Sequence, residues 1–226
     1  MPLAMFLTAC GAPDAPDPAA TEPVLPDVSG VTFVTGVDNV YLPLPAGATW
    51  SYVATTEEGE EDIAIAVLAE EKIVSDVSVV VVQDTATVDG AVTEDTRDWF
   101  AQDSDGNVWY VGEDTCEYED GACANTEGSW EWGVDGALPG LVMPAEPTVD
   151  GQPYYQEFYE GHAEDVGEVV GVGVAIGDYT DCLETHETST LETDASEYKW
   201  FCAGLGLVHV DSEDEVEELV TFSGLE

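Results

Sequence analysis

The sequence predicts an all-β protein: a single antiparallel β-barrel or strongly curved sheet of about 11–12 strands with little helix. Three observations support this. Apolar and polar residues alternate over most of the chain after residue 30, turn-forming residues interrupt the alternation at short intervals, and no long, well-capped helical pattern competes. Successive hairpins imply antiparallel pairing, and so many strands must curl or close to remove their exposed edges.

The first predicted strands follow from alternation and side-chain shape. Residues 49–55 place Trp50 and Tyr52 on one face. Residues 62–69 fit a short helix or a strand, and we favour the strand. Residues 77–88 are too rich in β-branched side chains for a comfortable helix.

The next strands are separated by clear turn signals. Asp89-Gly90 is a strong hairpin signal between 77–88 and 91–102, and residues 103–107 turn again before 108–118. Further strands are predicted at 153–160, 164–176, 180–188, 197–203, 205–211 and 216–222. An irregular excursion is expected at 128–150, where Trp130, Trp132, Pro139, Pro144 and Pro147 should break any ladder.

The net charge excludes whole classes of protein. The chain has 49 Asp and Glu but only 3 Lys and Arg, for a formal charge of −46. Lys72, Arg97 and Lys199 stand alone, so neither a nucleic-acid surface nor a basic membrane-binding helix can form. With 44% hydrophobic residues the chain should nevertheless fold. Dense like charges repel unless salt screens them, which predicts an acidic surface adapted to brine or seawater.

The amino terminus predicts export and a lipid anchor. Residues 1–10 form an apolar run ending in Leu7-Thr8-Ala9-Cys10, which resembles the lipobox of bacterial and archaeal lipoproteins. In that family a signal peptidase cuts before the cysteine, whose thiol then carries a diacylglycerol, so the resemblance implies lipidation of Cys10. The run has no basic segment and is shorter than a complete signal peptide, which we interpret as a remnant left by a truncated or mis-assigned start. The alternative is a frayed terminus that contains these residues by chance.

Domain organisation follows from the next composition change. Residues 11–30 are rich in Pro, Asp and Ala and are predicted to form an extended linker. Residues 31–226 are predicted to form a single β-rich domain. No segment has the 18 or more apolar residues of a spanning helix, so the expected attachment is by lipid.

The remaining cysteines agree with an exported protein. Cys116, Cys123, Cys182 and Cys202 make an even number, which suggests disulfides outside the cytosol. Three connectivities are open, and the turn between Cys116 and Cys123 favours pairing these two and joining Cys182 to Cys202. A zinc site is the alternative, but it would require a C-x-x-C spacing or nearby histidines.

Three blocks of sequence carry a family resemblance. Tyr41 to Tyr52, with Pro45, Gly47, Trp50 and Tyr52, resembles the opening of a group of bacterial secreted proteins that have no assigned activity. The segments 98–110 and 198–208 resemble its later blocks, so the resemblance spans about 41–210. It implies a β-rich secreted domain, and some relatives are thought to resemble periplasmic lipoprotein carriers in shape.

One loop is a weak calcium candidate. Asp103, Asp105 and Asn107 offer oxygen ligands at alternate positions, as a calcium loop does. The sixth position is Val108 where Gly is required, and Asp114 stands where a bidentate Glu is required. A tight turn built from residues that tolerate left-handed conformations is the better interpretation.

The sequence therefore predicts a lipid-anchored extracytoplasmic protein of the cell envelope, a non-enzymatic binding or envelope module. Its expected partners are a membrane through the anchor and either a small apolar ligand or an envelope protein, with no nucleic acid and no cofactor beyond weakly bound Ca²⁺. No serine-elbow, H-E-x-x-H or Walker A motif is present.

Two alternatives remain open. The first is a carrier-like barrel that holds a lipid or other apolar ligand. Its candidate pocket residues are Trp50, Trp99, Trp109 and Trp200, although such tryptophans more often belong to an ordinary core. The second is an extracellular carboxylate-dependent hydrolase, which would need a cleft holding two carboxylates with strongly raised and lowered pKa values.

Overall fold

The computed structural model describes residues 22–56, 59–149, 151–192 and 194–225. Across these ranges the chain forms sixteen strands and no helix. The strands are β1 (Phe33–Val34), β2 (Thr49–Thr56), β3 (Gly59–Val67), β4 (Lys72–Val74), β5 (Val77–Val88), β6 (Ala91–Asp103), β7 (Val108–Glu119), β8 (Ala122–Asn125), β9 (Trp130–Glu131), β10 (Gly140–Met143), β11 (Tyr154–Tyr155), β12 (Asp165–Ile176), β13 (Tyr179–Ser189), β14 (Ser196–Cys202), β15 (Gly206–Ser212) and β16 (Glu215–Ser223).

All strands belong to one antiparallel sheet. Its hydrogen-bonded order is β10-β7-β6-β5-β3-β2-β16-β15-β14-β13-β12-β11, with β1, β4, β8 and β9 paired beside this path. Most neighbours are consecutive hairpins, but β2 pairs with β16 along the line Thr49↔Ser223 to Thr56↔Glu215. This pairing of distant segments joins the two halves of the chain into a single sheet.

The prediction of an all-β antiparallel sheet is confirmed, and the eleven predicted strand positions all contain strand. The predicted hairpin at Asp89-Gly90 joins β5 to β6, with both residues at positive φ (51° and 79°), as a tight hairpin turn requires. Within 128–150 the expectation of no ladder was wrong, because β9 and β10 both pair with β7. The strand predicted at 153–160 is reduced to Tyr154–Tyr155.

The sheet is not closed into a barrel, but its two ends lie side by side. The Leu138 N–H donates to the Phe158 carbonyl at 2.8 Å, forming an isolated antiparallel bridge between the segments that flank β10 and β11. Gly140 makes this approach possible, because a Cβ at that position would overlap the carbonyl of Gln156. The sheet is therefore strongly curved, with its edges covered by one another.

The two faces of the sheet bury different cores. The inner face, which we define as the one carrying Trp50, Tyr52 and Val82, packs with Leu44 and Met143. On the outer face a second cluster contains Val74, Val81, Trp99, Ala101, Trp109 and Val111. This outer cluster is covered by partly buried side chains that include Val28 and Phe33, which lie upstream of the first long strand.

The amino-terminal segment contacts the sheet at Val24. The Val24 N–H donates to the Pro153 carbonyl at 2.9 Å, and Val24 forms an isolated parallel bridge with Tyr154. The predicted lipobox and Cys10 lie outside the described residues. No helix in the described ranges is long and apolar enough to cross a bilayer.

Candidate functional site: an acidic cavity within the curved sheet

The inner face of the curved sheet lines a cavity of about 1250 Å³. Strands β2, β3, β5, β6, β7 and β14 all contribute side chains to it, because alternate residues of each strand point to the same face. Its apolar wall includes Leu44, Trp50, Ile65, Val82, Phe100 and Phe201. A concave site with aromatic and aliphatic walls and a few polar groups is typical of a site for a small ligand.

Several carboxyl groups also line the cavity, and we call four of them the acid cluster. They are Asp84 on β5, Asp98 on β6, Glu113 on β7 and Glu157, which follows β11. Asp98 is directly opposite Glu113 in the β6–β7 ladder and opposite Val82 in the β5–β6 ladder. Asp84 is therefore a diagonal neighbour of Asp98 on the same face.

Tyr110 connects two members of the acid cluster. Its ring is buried, stacks on Phe100 with centroids 5.0 Å apart, and meets Trp130 edge-on at 5.6 Å. Its hydroxyl lies 2.6 Å from Asp98 Oδ1 and 3.2 Å from Glu113 Oε2. One hydroxyl hydrogen can be donated to only one of these oxygens at a time, so the pair is short of donors.

The acid cluster has few other donors. Trp130 Nε1 donates to Glu157 Oε2 at 3.0 Å, which leaves Oε1 of Glu157 without a donor in the described chain. No described group donates to either oxygen of Asp84. Each of these oxygens can accept a hydrogen bond from a molecule in the cavity.

The cluster carries raised pKa values for two physical reasons. Burial removes the carboxyls from water, and each carboxyl feels the negative charge of the others. Burial and the charge of Asp98 raise the pKa of both Asp84 and Glu113 to about 8. Burial raises the pKa of Asp98 to about 6, and burial with the charge of Glu113 raises the pKa of Glu157 well above its usual range.

A different arrangement occupies the opposite side of the cavity. Lys199 Nζ on β14 lies 2.9 Å from Glu187 Oε2 and 2.8 Å from Glu197 Oε1. Glu187 Oε1 accepts hydrogen bonds from Gln156 and Thr185 at 3.0 and 2.8 Å. Burial opposes ionisation of Glu187, but Lys199 and these donors hold its pKa below the usual range. This carboxylate is compensated, whereas the acid cluster is not.

Only one of the four predicted pocket tryptophans lines the cavity. Trp50 does so, and its Nε1 donates to the Leu205 carbonyl at 2.7 Å. Trp99 and Trp109 lie in the outer cluster, and Trp200 packs beside His209 with ring centroids 5.1 Å apart on the outer face. These three tryptophans do not line this cavity, because they are adjacent in sequence to inner-face residues and successive side chains of a strand point to opposite faces.

The calcium candidate forms a tight turn between β6 and β7. Asp103 Oδ1 accepts from the N–H groups of Asp105 and Asn107, while Oδ2 accepts from Asn107 Nδ2 and Trp109 Nε1, all at 2.9 Å. Burial opposes ionisation of Asp103, but the hydrogen bonds from Asn107 and Trp109 hold its pKa below the usual range. Asn107 Oδ1 accepts from the Ala145 N–H, so the side-chain oxygens of Asp103 and Asn107 are directed at protein donors. Within the described ranges no group of three or more His, Cys, Asp or Glu is arranged to hold a metal ion.

The four downstream cysteines form two disulfides. Cys116 is joined to Cys123 across the β7–β8 hairpin, and Cys182 to Cys202 between β13 and β14. Cys182 and Cys202 are directly opposite in the ladder and buried, within a small cluster that includes Val208. This is the pairing that the sequence favours.

The comparisons with known proteins give little beyond this geometry. No protein-family model matches the chain, and no curated protein matches it. Among solved structures the chain is similar to a candidate lipoprotein from Parabacteroides distasonis, at 11% identity and a TM-score of 0.45, over 82% of this chain and 99% of the other. That likeness is too low to support an argument about this protein.

Sequence reasoning missed the acid cluster. With 49 acidic residues in the chain, single carboxyls give no signal by count. A positional signal was present: Asp84 is two residues after Val82, and Asp98 is two residues before Phe100, so both share a face with apolar residues. An acidic residue whose side chain points to the same face as the buried apolar residues of its strand is expected to be buried as well.

Proposed function

We propose that the protein is a lipid-anchored, extracytoplasmic binding protein whose curved sheet holds a small amphipathic ligand. The observation that carries the proposal is the cavity of about 1250 Å³, with an apolar wall and oxygens that lack donors. A purely structural sheet would fill its interior with side chains, because protein interiors are normally close-packed.

The disulfides and the predicted anchor site support a location outside the cytoplasm. Two disulfides are typical of proteins that fold in an oxidising compartment. The sequence Leu7-Thr8-Ala9-Cys10 and the Pro-rich residues that follow supply an anchor site and a spacer in the order a tethered domain needs. The dense negative charge keeps such a domain soluble where salt screens its self-repulsion.

A carboxylate-dependent hydrolase is the second candidate. It would need an ionised carboxylate free to act as base or nucleophile beside a protonated acid. The pKa values of Asp98 and Glu113, about 6 and about 8, would provide one of each near neutral pH, but the Tyr110 hydroxyl lies within hydrogen-bond distance of both carboxyls. Because the cavity is lined by apolar side chains as well as by these carboxyls, we propose binding as the function and keep hydrolysis by the Asp98 and Glu113 pair as the alternative.

Two measurements test the proposal. The protein is purified from its native membrane, and intact-mass spectrometry is expected to find a chain that begins at Cys10 with a diacylglycerol attached. A chain that retains residues 1–9 and an unmodified thiol would disprove the anchor.

Organic-solvent extracts of the same preparation are analysed for a stoichiometric small molecule. A Trp50→Ala variant, which removes an inner-face ring, should retain less of that molecule than Trp200→Ala, which removes an outer-face ring. Equal retention by the two variants, or no extractable molecule in any preparation, would disprove a ligand in the cavity.

A further inference from the structure

We propose that the ligand of this cavity is an organic cation, an amine with an apolar body, whose ammonium group is held by the acid cluster. This inference rests on the proposed function and specifies the chemical class of the ligand.

The first step is the imbalance of charge. Asp84, Asp98, Glu113 and Glu157 share one part of the inner face, and no basic side chain contacts them within the described residues. The titratable groups that act on them from neighbouring elements are Glu94 and Asp95 on β6, Tyr110 on β7, Asp165 on β12 and Glu217 on β16. None of these groups carries positive charge, so the protein itself cannot compensate the cluster.

The second step is the shortage of donors. Tyr110 has a single hydroxyl hydrogen for Asp98 and Glu113, Glu157 Oε1 has no described donor, and neither does Asp84. An ammonium group brings three N–H donors and one positive charge. It therefore supplies both of the things that the cluster lacks, through charge-assisted hydrogen bonds.

The third step is the surrounding wall. Phe100 and Tyr110 stand next to the carboxyls, and Trp50, Ile65 and Val82 extend the apolar surface along the same face. A strongly hydrated inorganic ion gains nothing from such a wall, whereas an alkyl or aryl chain buries its surface there. A fatty acid would bring a further negative charge to the cluster, so the cavity should discriminate against it.

The fourth step is the coupling to protons. In the free protein Asp84 and Glu113, whose pKa values are raised to about 8, retain protons near neutral pH, and an ammonium favours their ionised form. Binding should therefore release protons, and the affinity should fall as the pH is lowered through the range in which Glu113 and Asp98 titrate, from about 8 to about 6. An alkylamine remains protonated across this range, because its own pKa is close to that of lysine.

The test uses three probes with the same eight-carbon chain, n-octylamine, 1-octanol and octanoate. They are titrated calorimetrically into the purified full-length chain at pH 8 in about 1 M NaCl, where surface charges are screened within about 3 Å. We expect octylamine to bind at least about tenfold more tightly than octanol, and octanoate to bind most weakly. Repeating the octylamine titration in buffers of different ionisation enthalpy should show proton release.

Two variants of β7 separate the cavity from the surface. Glu113→Gln keeps the shape of the side chain without its charge and should weaken octylamine binding by about tenfold while leaving octanol unchanged. Asp114→Asn removes the same charge from an exposed position on the same strand and should bind octylamine as the wild type does. Near-ultraviolet circular dichroism confirms that both variants are folded.

The outcomes distinguish the two proposals. If octanol or octanoate binds as tightly as octylamine, or if Asp114→Asn loses as much affinity as Glu113→Gln, the organic-cation proposal is wrong while an apolar ligand remains. If Ca²⁺ alone binds and Glu113→Gln abolishes its binding, the cluster is a metal site and the proposal is again wrong. If none of the three probes binds, the inference fails, and the extraction experiment then decides the proposed function separately.

Discussion

Replacing Lys199 by Met should destabilise the fold by about 2–3 kcal/mol, because it leaves Glu187 charged and uncompensated beside the cavity. Lys199 holds Glu187 and Glu197 at 2.9 and 2.8 Å. Removing one partner of a fully buried pair costs about 3–5 kcal/mol, while an exposed pair contributes about 0–1. The side chain of Glu187 is 10% exposed and that of Lys199 is 27% exposed. The pair is therefore not fully buried, and we expect a smaller loss of unfolding free energy than for a fully buried pair.

The assay is urea unfolding at pH 7 and constant NaCl, since guanidinium salt would change the screening as it denatures. The double variant Lys199→Met/Glu187→Gln should recover at least half of the loss, because the amide is neutral and its oxygen can still accept from Thr185 and Gln156. Lys72→Met is the matched control. Its ion pair with Glu131 is about one-third exposed on both sides, and with the cation–π contact to Trp99 its loss should be about 1 kcal/mol. Equal losses for Lys199→Met and Lys72→Met, or no recovery in the double variant, would refute the reasoning.

Three further predictions concern stability. Burial and the charge of Asp98 raise the pKa of Glu113 in the folded protein to about 8, above the value near 4.3 in the unfolded chain. The contribution of protonated Glu113 to the free energy of unfolding is therefore fully present below the unfolded pKa and is lost as the pH rises through 8. Glu113 should therefore account for about 1–3 kcal/mol of the fall in stability between pH 6 and 9 in urea unfolding, with Asp84 adding to the wild-type fall in the same range. A Glu113→Gln variant that falls as steeply as the wild type would contradict this. Cys182→Ser should cost about 3–4 kcal/mol and Cys123→Ser about 2, since the first bond closes a longer loop and is buried; unchanged melting of either variant under oxidising conditions would show that its bond does not form. Gly140→Ala should lower the melting temperature and increase amide exchange at Leu138, because the new Cβ would overlap the Gln156 carbonyl. Gly161→Ala is the control: the space around Gly161 is open but its φ is positive, so this variant should lose only about 1 kcal/mol of stability. Unchanged exchange at Leu138 would show that the two ends of the sheet do not meet there.

The fold could be predicted from the sequence wherever the signal was local. The hairpin from β5 to β6 follows from β-branched alternation on either side of Asp89-Gly90, and both of its strands formed at the predicted positions. The pairing of β2 with β16 could not be predicted, because nothing in either segment specifies a partner about 170 residues away. The short strands β9 and β10 were missed because Trp130 and Pro139 were interpreted as interruptions of the ladder. Trp130 lies in the two-residue strand β9, and Pro139 directly precedes the four-residue strand β10. Pro is tolerated there because β10 lies at the edge of the sheet.

The candidate site was harder to predict because both faces of the sheet are apolar. Alternation assigns Trp99 and Trp109 to one face and Asp98 and Phe100 to the other, but it does not say which face surrounds the cavity. The outer face is covered by segments such as Phe33, so its tryptophans are as well buried as inner ones. Choosing pocket residues by aromatic type therefore selected three that lie on the face away from this cavity.

The distribution of the three basic residues supports the asymmetry of the cavity. All three carry ion pairs: Lys72 with Glu131, Arg97 with Glu70 and Asp95, and Lys199 with Glu187 and Glu197. Of the three, only Lys199 lines the cavity, so on that side the protein itself supplies a positive charge to Glu187. The other side retains carboxyls whose ionised form is destabilised, as their raised pKa values show. A neutral amide of the same shape would avoid this destabilisation. Carboxyls that weaken the fold and face a cavity are expected where a ligand supplies the missing charge.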